Sequence, residues 1–186
     1  MPIRLAVFAS GTGSLFRAMI VQGVPIELVL VDRKCRAYDI AAEGGFKHKL
    51  LPGPLHKPFN REEYTKEVLN LLREHHINLV AMAGFMTILS PLIFEPDAYR
   101  MKILNTHPSL LPAFKGHHAV KDALEFGVKV TGFTIHWATP ELDAGPILYQ
   151  GAVPVQPYDT VETLHERIKT EERVIYPRIL RALVED

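Results

Sequence analysis

The chain opens on an apolar run, Ile3–Ser10, that stops at a glycine-rich turn and predicts a buried strand. Ser14–Gln22 follows as a helix, and Ile26–Val31, rich in Val and Ile, as a second strand. Tyr38–Glu43 predicts a short helix ended by Gly44 and Gly45. His48–Leu51 predicts a third strand, closed by Pro52–Gly53–Pro54. Asn60 is placed as an N-cap, with Glu63 spaced for a capping box. Val68, Leu69 and Leu72 then keep helical spacing to about His75, and Leu79–Ala83 reads as another buried strand.

Strands alternate with helices through this half, the pattern of parallel βαβ units with right-handed crossovers. The second half differs. Lys102–Asn105 is a short strand running into Thr106, His107 and Pro108. Ala119–Phe126 is a helix closed by Gly127. Lys129–Ala138 and Ile147–Val155 are strand-like with no helix between them, which predicts an antiparallel pair. Asp159 or Thr160 caps a last helix running to about Val184, with Pro177 as a kink or break. There is no internal repeat, and the Pro52–Pro58 stretch reads as a loop. The predicted fold is α/β: a single-domain, doubly wound, mostly parallel sheet with an antiparallel C-terminal strand pair and helices on both faces.

Composition narrows the partners. A chain of 186 residues suits one domain, and 47% hydrophobic residues are enough for a sizeable core. Lys plus Arg and Asp plus Glu are both 21, so net charge offers no global attraction to nucleic acid or an anionic membrane. With Cys35 the only cysteine, an intrachain disulfide and a multi-thiolate zinc site are excluded. The apolar start is too short to span a membrane and lacks a signal peptide's basic lead, so the expected location is the cytoplasm.

Several polar residues stand where open α/β sheets place ligands. Gly11, Thr12, Gly13 and Ser14 lie between a strand and a helix, where backbone N–H groups and the helix dipole favour an anion. Phe16 occupies the place of the third glycine of a dinucleotide fingerprint, so the turn is either a phosphate cradle or a tight connection. Asp32 ends the second strand, where it is either a ribose-binding acid or, more commonly, a solvated loop aspartate. Asn105 and His107 are two apart at a strand end, so they face one side and can converge on a carbonyl oxygen. Asp143, in a turn before Gly145 and Pro146, is an ordinary turn residue unless it meets His107. There it would fix the ring's tautomer and support its protonated form. His117, His118 and His136 add imidazoles, yet none of the spacings is that of a zinc site, so no metal is expected. No Gly-x-Ser-x-Gly elbow is present and Cys35 has no evident base, which disfavours a covalent nucleophile.

Longer segments extend these signals. Asn105-Thr-His107-Pro-Ser-Leu-Leu-Pro112, then Ala113–Gly116, resemble the signature of the formyltransferase superfamily that uses 10-formyltetrahydrofolate. Thr131–His136 and Leu142–Ile147 extend the resemblance in order, as do the Gly-Thr-Gly-Ser turn, Ala83–Met86, and Glu172 with Tyr176 and Pro177. The match spans nearly the whole chain. It implies a formyltransferase with 10-formyltetrahydrofolate as donor cosubstrate, and the short length points to the branch whose acceptor is phosphoribosylglycinamide. The branch acting on methionyl-tRNA carries a further C-terminal domain, and the hydrolase branch an N-terminal one. Hydrolysis of the same donor, or a non-catalytic folate- or nucleotide-binding module, are the alternatives. A monomer or homodimer is expected.

The resemblance also implies roles. Asn105 would hold the formyl oxygen, His107 would act as general acid, and Asp143 would sustain its protonated state. Gly11, Thr12, Gly13, Ser14 and Leu15 would bind the substrate phosphate, and Glu172 the glycinamide end. Arg61, Met86, Thr87, Ile88, Leu89, Asn105, Thr139, Pro140, Glu141, Leu142 and Asp143 would contact the folate. Residues 1–100 would form the nucleotide-phosphate half and 101–186 the catalytic and folate half of one domain. Two positions depart from the family. Leu15 stands where Asn is usual, and Thr87 where Arg or Lys is common; both bear on what binds, and neither belongs to the three proposed catalytic residues.

Overall fold

The computed structural model describes residues 2–54, 58–95 and 102–185. Residues 55–57 of the expected Pro52–Pro58 loop, and the expected boundary at 100/101, lie outside them. The elements in order are β1 (Leu5–Ala9), α1 (Ser14–Val21), β2 (Ile26–Val31), α2 (Arg36–Glu43), β3 (His48–Leu50), α3 (Arg61–Glu74) and β4 (Leu79–Met82). A 3-10 turn follows at Pro91–Phe94, then β5 (Lys102–His107), α4 (Ala119–Phe126), β6 (Val130–Trp137), β7 (Ile147–Pro154) and α5 (Val161–Glu185). Together the strands make one mixed seven-stranded sheet in the order β3-β2-β1-β4-β5-β6-β7. Cα packing divides the chain into two compact units, Met1–Ile103 with Pro177–Asp186, and Leu104–Tyr176.

In the first unit β1 pairs in parallel with β2 and β4, and β2 with β3. All five residues of β1 are buried, which is why it reads as a continuous apolar run rather than an alternating one. The chain steps outward from β1 to β2 to β3 and then returns to the far side of β1 as β4. Right-handed crossovers therefore put α1 and α2 on one face and α3 on the other. The direction of winding reverses between β1 and β4, so the loops after these strands flank the crevice where such sheets take ligands. Asn60 caps α3 as expected, its Oδ1 accepting from the Glu62 and Glu63 amides.

In the second unit β6 runs antiparallel to both β5 and β7. The expected antiparallel pair is thus present, and β5 joins it. Helix α5 buries Leu164, Ile168, Glu172, Tyr176 and Leu180, a stripe repeating every four residues. Pro177 does not break it: the helix is continuous to Glu185. A proline removes one backbone rung, and burial of the stripe on both sides of it carries the helix across. Among the described residues no helix is long and apolar enough to cross a membrane.

The Tyr176 hydroxyl, fully buried, donates to the Leu104 carbonyl at 2.8 Å and so ties α5 to β5 within the second unit. Tyr176→Phe removes that hydroxyl. Urea denaturation should show a loss of about 1–2 kcal/mol at an unchanged m-value.

Candidate active site

Strand β5 ends at His107, and its pairing with β6 sets Asn105 opposite His136 and His107 opposite Thr134. Asn105 and His107 therefore share a face, with His136 beside them, while Thr106 points to the other face. The chain after His107 folds back in a compact loop. Ser109 Oγ donates to the Ala113 carbonyl, the Thr134 hydroxyl donates to the Ser109 carbonyl, and the Leu111 amide donates to Thr134 Oγ1. Phe114 takes a left-handed backbone, φ 53°, that turns its carbonyl onto His107 Nε2 at 2.8 Å.

Asp143 reaches the same cluster from the loop after β6. Trp137 and Pro146 clamp the base of that loop by a backbone bond of 2.9 Å. Asp143 itself adopts φ 51°, a conformation aspartate tolerates better than most residues. Its Oδ2 accepts from the Gly116 amide at 2.9 Å and lies 3.4 Å from His107 Nδ1. Its Oδ1 lies 3.8 Å from His136 Nε2. His107, His136 and Asp143 are all buried, so their mutual electrostatics are only weakly screened.

The partners dictate where protons sit. A carbonyl oxygen can only accept, so His107 carries a hydrogen on Nε2 toward Phe114 and turns Nδ1 to the Asp143 carboxylate. Burial lowers the basicity of His136, keeping that ring neutral. Its Nδ1 donates to the Trp137 carbonyl at 3.2 Å, which leaves Nε2 to accept from Asn105 Nδ2 at 3.3 Å. One N–H of the Asn105 amide is thereby fixed, and its second remains to donate to another oxygen. A neutral amide donor, an imidazole and a carboxylate behind that imidazole form a polarising set for a carbonyl. Among the described residues no group of three His, Cys, Asp or Glu side chains is placed to hold a metal ion.

The other expected site residues fall in separate places. Gly13 is the α1 N-cap with φ 72°, and Gly11, Thr12 and Ser14 surround it on the surface. No side chain caps this helix and its first turn holds no acid, so its leading N–H groups are unclaimed by side chains. Met86 and Ile88 are exposed, whereas Thr87 and Leu89 are buried. Arg61 does not project freely: its guanidinium donates to the Ile88 and Leu89 carbonyls and shapes that segment. Leu142 is exposed, and the Thr139 hydroxyl closes its own turn on the Glu141 carbonyl. Glu172 reaches β5 from the face opposite His107, accepting from Thr106 Oγ1 at 2.8 Å. Burial pushes its carboxyl up to about 7, against the single hydroxyl donor and the nearby Lys169 and Arg173.

The commoner expectation for Asp32, a solvated loop aspartate, is wrong: it is 1% exposed and is bonded by Arg33 and Thr87. In the sequence His136 stands as one imidazole among several, because strand register, which puts it opposite Asn105, cannot be read from spacing. Thr106 hides between two conspicuous residues, and only strand alternation points to its separate face.

The formyl transferase family matches residues 3–180, and the chain belongs to that family. Its relatives include phosphoribosylglycinamide formyltransferase of Mycobacterium tuberculosis (strain ATCC 25618 / H37Rv), 45% identical over 98% of this chain and 85% of that protein. The trifunctional purine biosynthetic protein adenosine-3 of Homo sapiens is 41% identical over 96% of this chain, which corresponds to 18% of that longer protein. Among solved structures, glycinamide ribonucleotide transformylase 1 from Symbiobacterium toebii superposes with a TM-score of 0.89 at 37% identity, covering 99% of this chain and 88% of the other.

The raised Glu172 carboxyl links stability to pH. Its ordinary value is 4.5 and its folded value about 7, so between these the unfolded chain has lost a proton that the folded chain keeps. Stability is then full below about 4.5, falls as pH rises to about 7, and levels off above, a drop of about 3 kcal/mol. Glu172→Gln removes this contribution. Denaturation at pH 4.5 and pH 8 should show the wild type losing about 3 kcal/mol more than the variant.

Proposed function

We propose that the chain transfers a formyl group from 10-formyltetrahydrofolate to the primary amine of phosphoribosylglycinamide, a step of de novo purine synthesis. The meeting of Asn105, His107 and Asp143 in one buried cluster of a formyl transferase carries this reading. The activity named for relatives that align over most of their own length supports the acceptor.

In this mechanism the donor supplies an electrophilic formyl carbon. The amine lone pair forms the new C–N bond while the carbonyl π electrons move onto oxygen. Asn105 donates its free N–H to that oxygen. His107 donates from Nε2 by exchanging the Phe114 carbonyl for the substrate's oxygen, and Asp143 holds the ring's other nitrogen. The bond from carbon to the folate nitrogen then breaks, and the proton lost by the amine passes to that nitrogen through a water held by Asp143. No covalent enzyme intermediate is needed.

Binding roles follow the local chemistry. Backbone N–H groups from Gly11 to Leu15 take the phosphate, and Leu15 serves as well as Asn would for a main-chain contact. Glu172, whose carboxyl burial raises to about 7, meets the glycinamide end of the acceptor. Met86 and Ile88 offer apolar side chains to the folate, with Arg61, Thr87 and Leu89 holding their segment in shape. Thr139, Pro140, Glu141 and Leu142 make up the corresponding loop of the second unit. Hydrolysis of the donor would use the same three catalytic residues, but the named relatives are transferases.

Purified protein mixed with both substrates should release deformylated folate only when the amine is present. Release without the amine would replace transfer by hydrolysis, and no release would remove catalysis. Asn105→Ala should lower kcat about a hundredfold to a thousandfold, the usual effect of losing one oxyanion donor. His107→Ala should abolish measurable turnover while equilibrium titration still detects donor binding.

A further inference from the structure

The first unit contains a buried acid that the proposed mechanism leaves idle. Asp32 follows the last residue of β2 and is bonded from several directions at once. Arg33 Nε donates to its Oδ1 at 2.9 Å and Arg33 Nη2 to its Oδ2 at 3.1 Å. The Thr87 hydroxyl donates to Oδ2 at 2.7 Å, and the nearby Ser10 hydroxyl helps to hold the carboxyl down. Burial alone would push this carboxyl up, but the bonds from Arg33, Thr87 and Ser10 outweigh it and hold it below the usual range. The group is therefore an ionised acceptor matched by donors, not a strained buried acid.

The donors are not scattered. Ser10 is the residue immediately before the Gly11–Leu15 turn, and its Oγ also accepts the Met86 amide at 2.8 Å. Thr87 lies between Met86 and Ile88, the two exposed apolar residues of its segment. A third strand-end loop closes on the same spot: the Gly53 amide donates to the Asp32 carbonyl at 2.8 Å. A Cβ at Gly53 would stand 2.4 Å from Thr87 Oγ1 and 3.2 Å from Asp32 Cβ, so only glycine fits there. One carboxylate thus gathers the ends of β1 and β2 and the segment after β4, on both sides of the point where the winding of the sheet reverses.

We infer that Asp32 is a positioning residue that sets the folate segment through Thr87 and, through the Met86–Ser10 bond of that segment, the start of the phosphate turn. This rests on the assignment of those two segments in the proposed function. Asp32 touches neither ligand in this role. Its effect lies on binding and not on the chemical step, because none of Asn105, His107 and Asp143 is among its hydrogen-bond partners.

Initial rates of the purified Asp32→Asn variant against each substrate test this. An amide turns an N–H toward a donor and breaks the match without changing side-chain size. KM for donor and for acceptor should each rise about tenfold, with kcat held within about threefold. Thr87→Val, which loses one donor, should raise KM for the folate donor about fivefold and leave KM for the amine within about twofold. A carboxylate that merely stabilises the fold would reduce the fraction of active protein, giving lower apparent kcat at unchanged KM; that result overturns the inference. If Asp32→Asn does not fold, Thr87→Val decides: a selective rise in donor KM supports the inference and an unmoved donor KM overturns it. A wild type without amine-dependent transfer is a separate outcome, which overturns the functional proposal and this inference together.

Discussion

The antiparallel pairing of β5 with β6 is the constraint on which the candidate active site depends. In register, Asn105 faces His136 and His107 faces Thr134. A slip of one residue would send Asn105 and His107 to the face now held by Thr106 and bring Thr106 to the imidazoles. Nothing else in the site could compensate. The Asp143 loop is anchored on Trp137, the last residue of β6, and the Phe114 loop is held through Thr134 in the middle of it. The same strand therefore orients the amide donor, the loop that touches His107 Nε2 and the loop that brings a carboxylate to Nδ1. Preorganisation here is a property of strand register, with side-chain hydrogen bonds locking what the register has placed.

Two buried acids of this protein show how little burial decides by itself. Asp32 and Glu172 are both nearly inaccessible, yet one carboxyl is held down and the other pushed up. The difference lies in their donors. Asp32 has a bidentate guanidinium and the Thr87 hydroxyl, enough to hold its charge against burial. Glu172 has one hydroxyl, from Thr106, and sits in an otherwise apolar stripe of α5. The first is suited to hold a structure in place at any ordinary pH. The second is under-satisfied, and burial leaves its carboxyl raised to about 7.

Much of the fold is legible from the chain. Runs buried on both sides, as in Leu5–Ala9, declare parallel strands, and two long strand-like runs without an intervening helix declare an antiparallel pair. Asn105 and His107 are legible as a pair because strand alternation is local. Their company is not. His136 joins them only through register, Asp143 only through a loop whose left-handed backbone is invisible in residue types, and Phe114 contributes a carbonyl, which no side-chain motif encodes. Asp32 fails for a related reason. Its position at a strand end suggests solvent, and its burial depends on Gly53 and Thr87, which are distant in sequence and arrive only when the sheet winds back. At Pro177 the chain does not break: propensity argues against a continuous helix, and a buried stripe of four-residue period carries it through.

The two departures from the family pattern are unequal in physical weight. At Leu15 the helix N-terminus still presents its main-chain N–H whatever the side chain, so a contact made by backbone is preserved. At Thr87 the side chain is turned inward and its hydroxyl is committed to Asp32. A long cation there would have to find room beside Gly53, where even one methyl would crowd the Thr87 oxygen. The cation bound to Asp32 is Arg33, the next residue along. Position 87 is thereby tied to positions 32, 33 and 53, and a substitution at any one of them changes the packing demanded of the others. The local departure is thus not a lost contact in isolation but one member of a matched set of side chains.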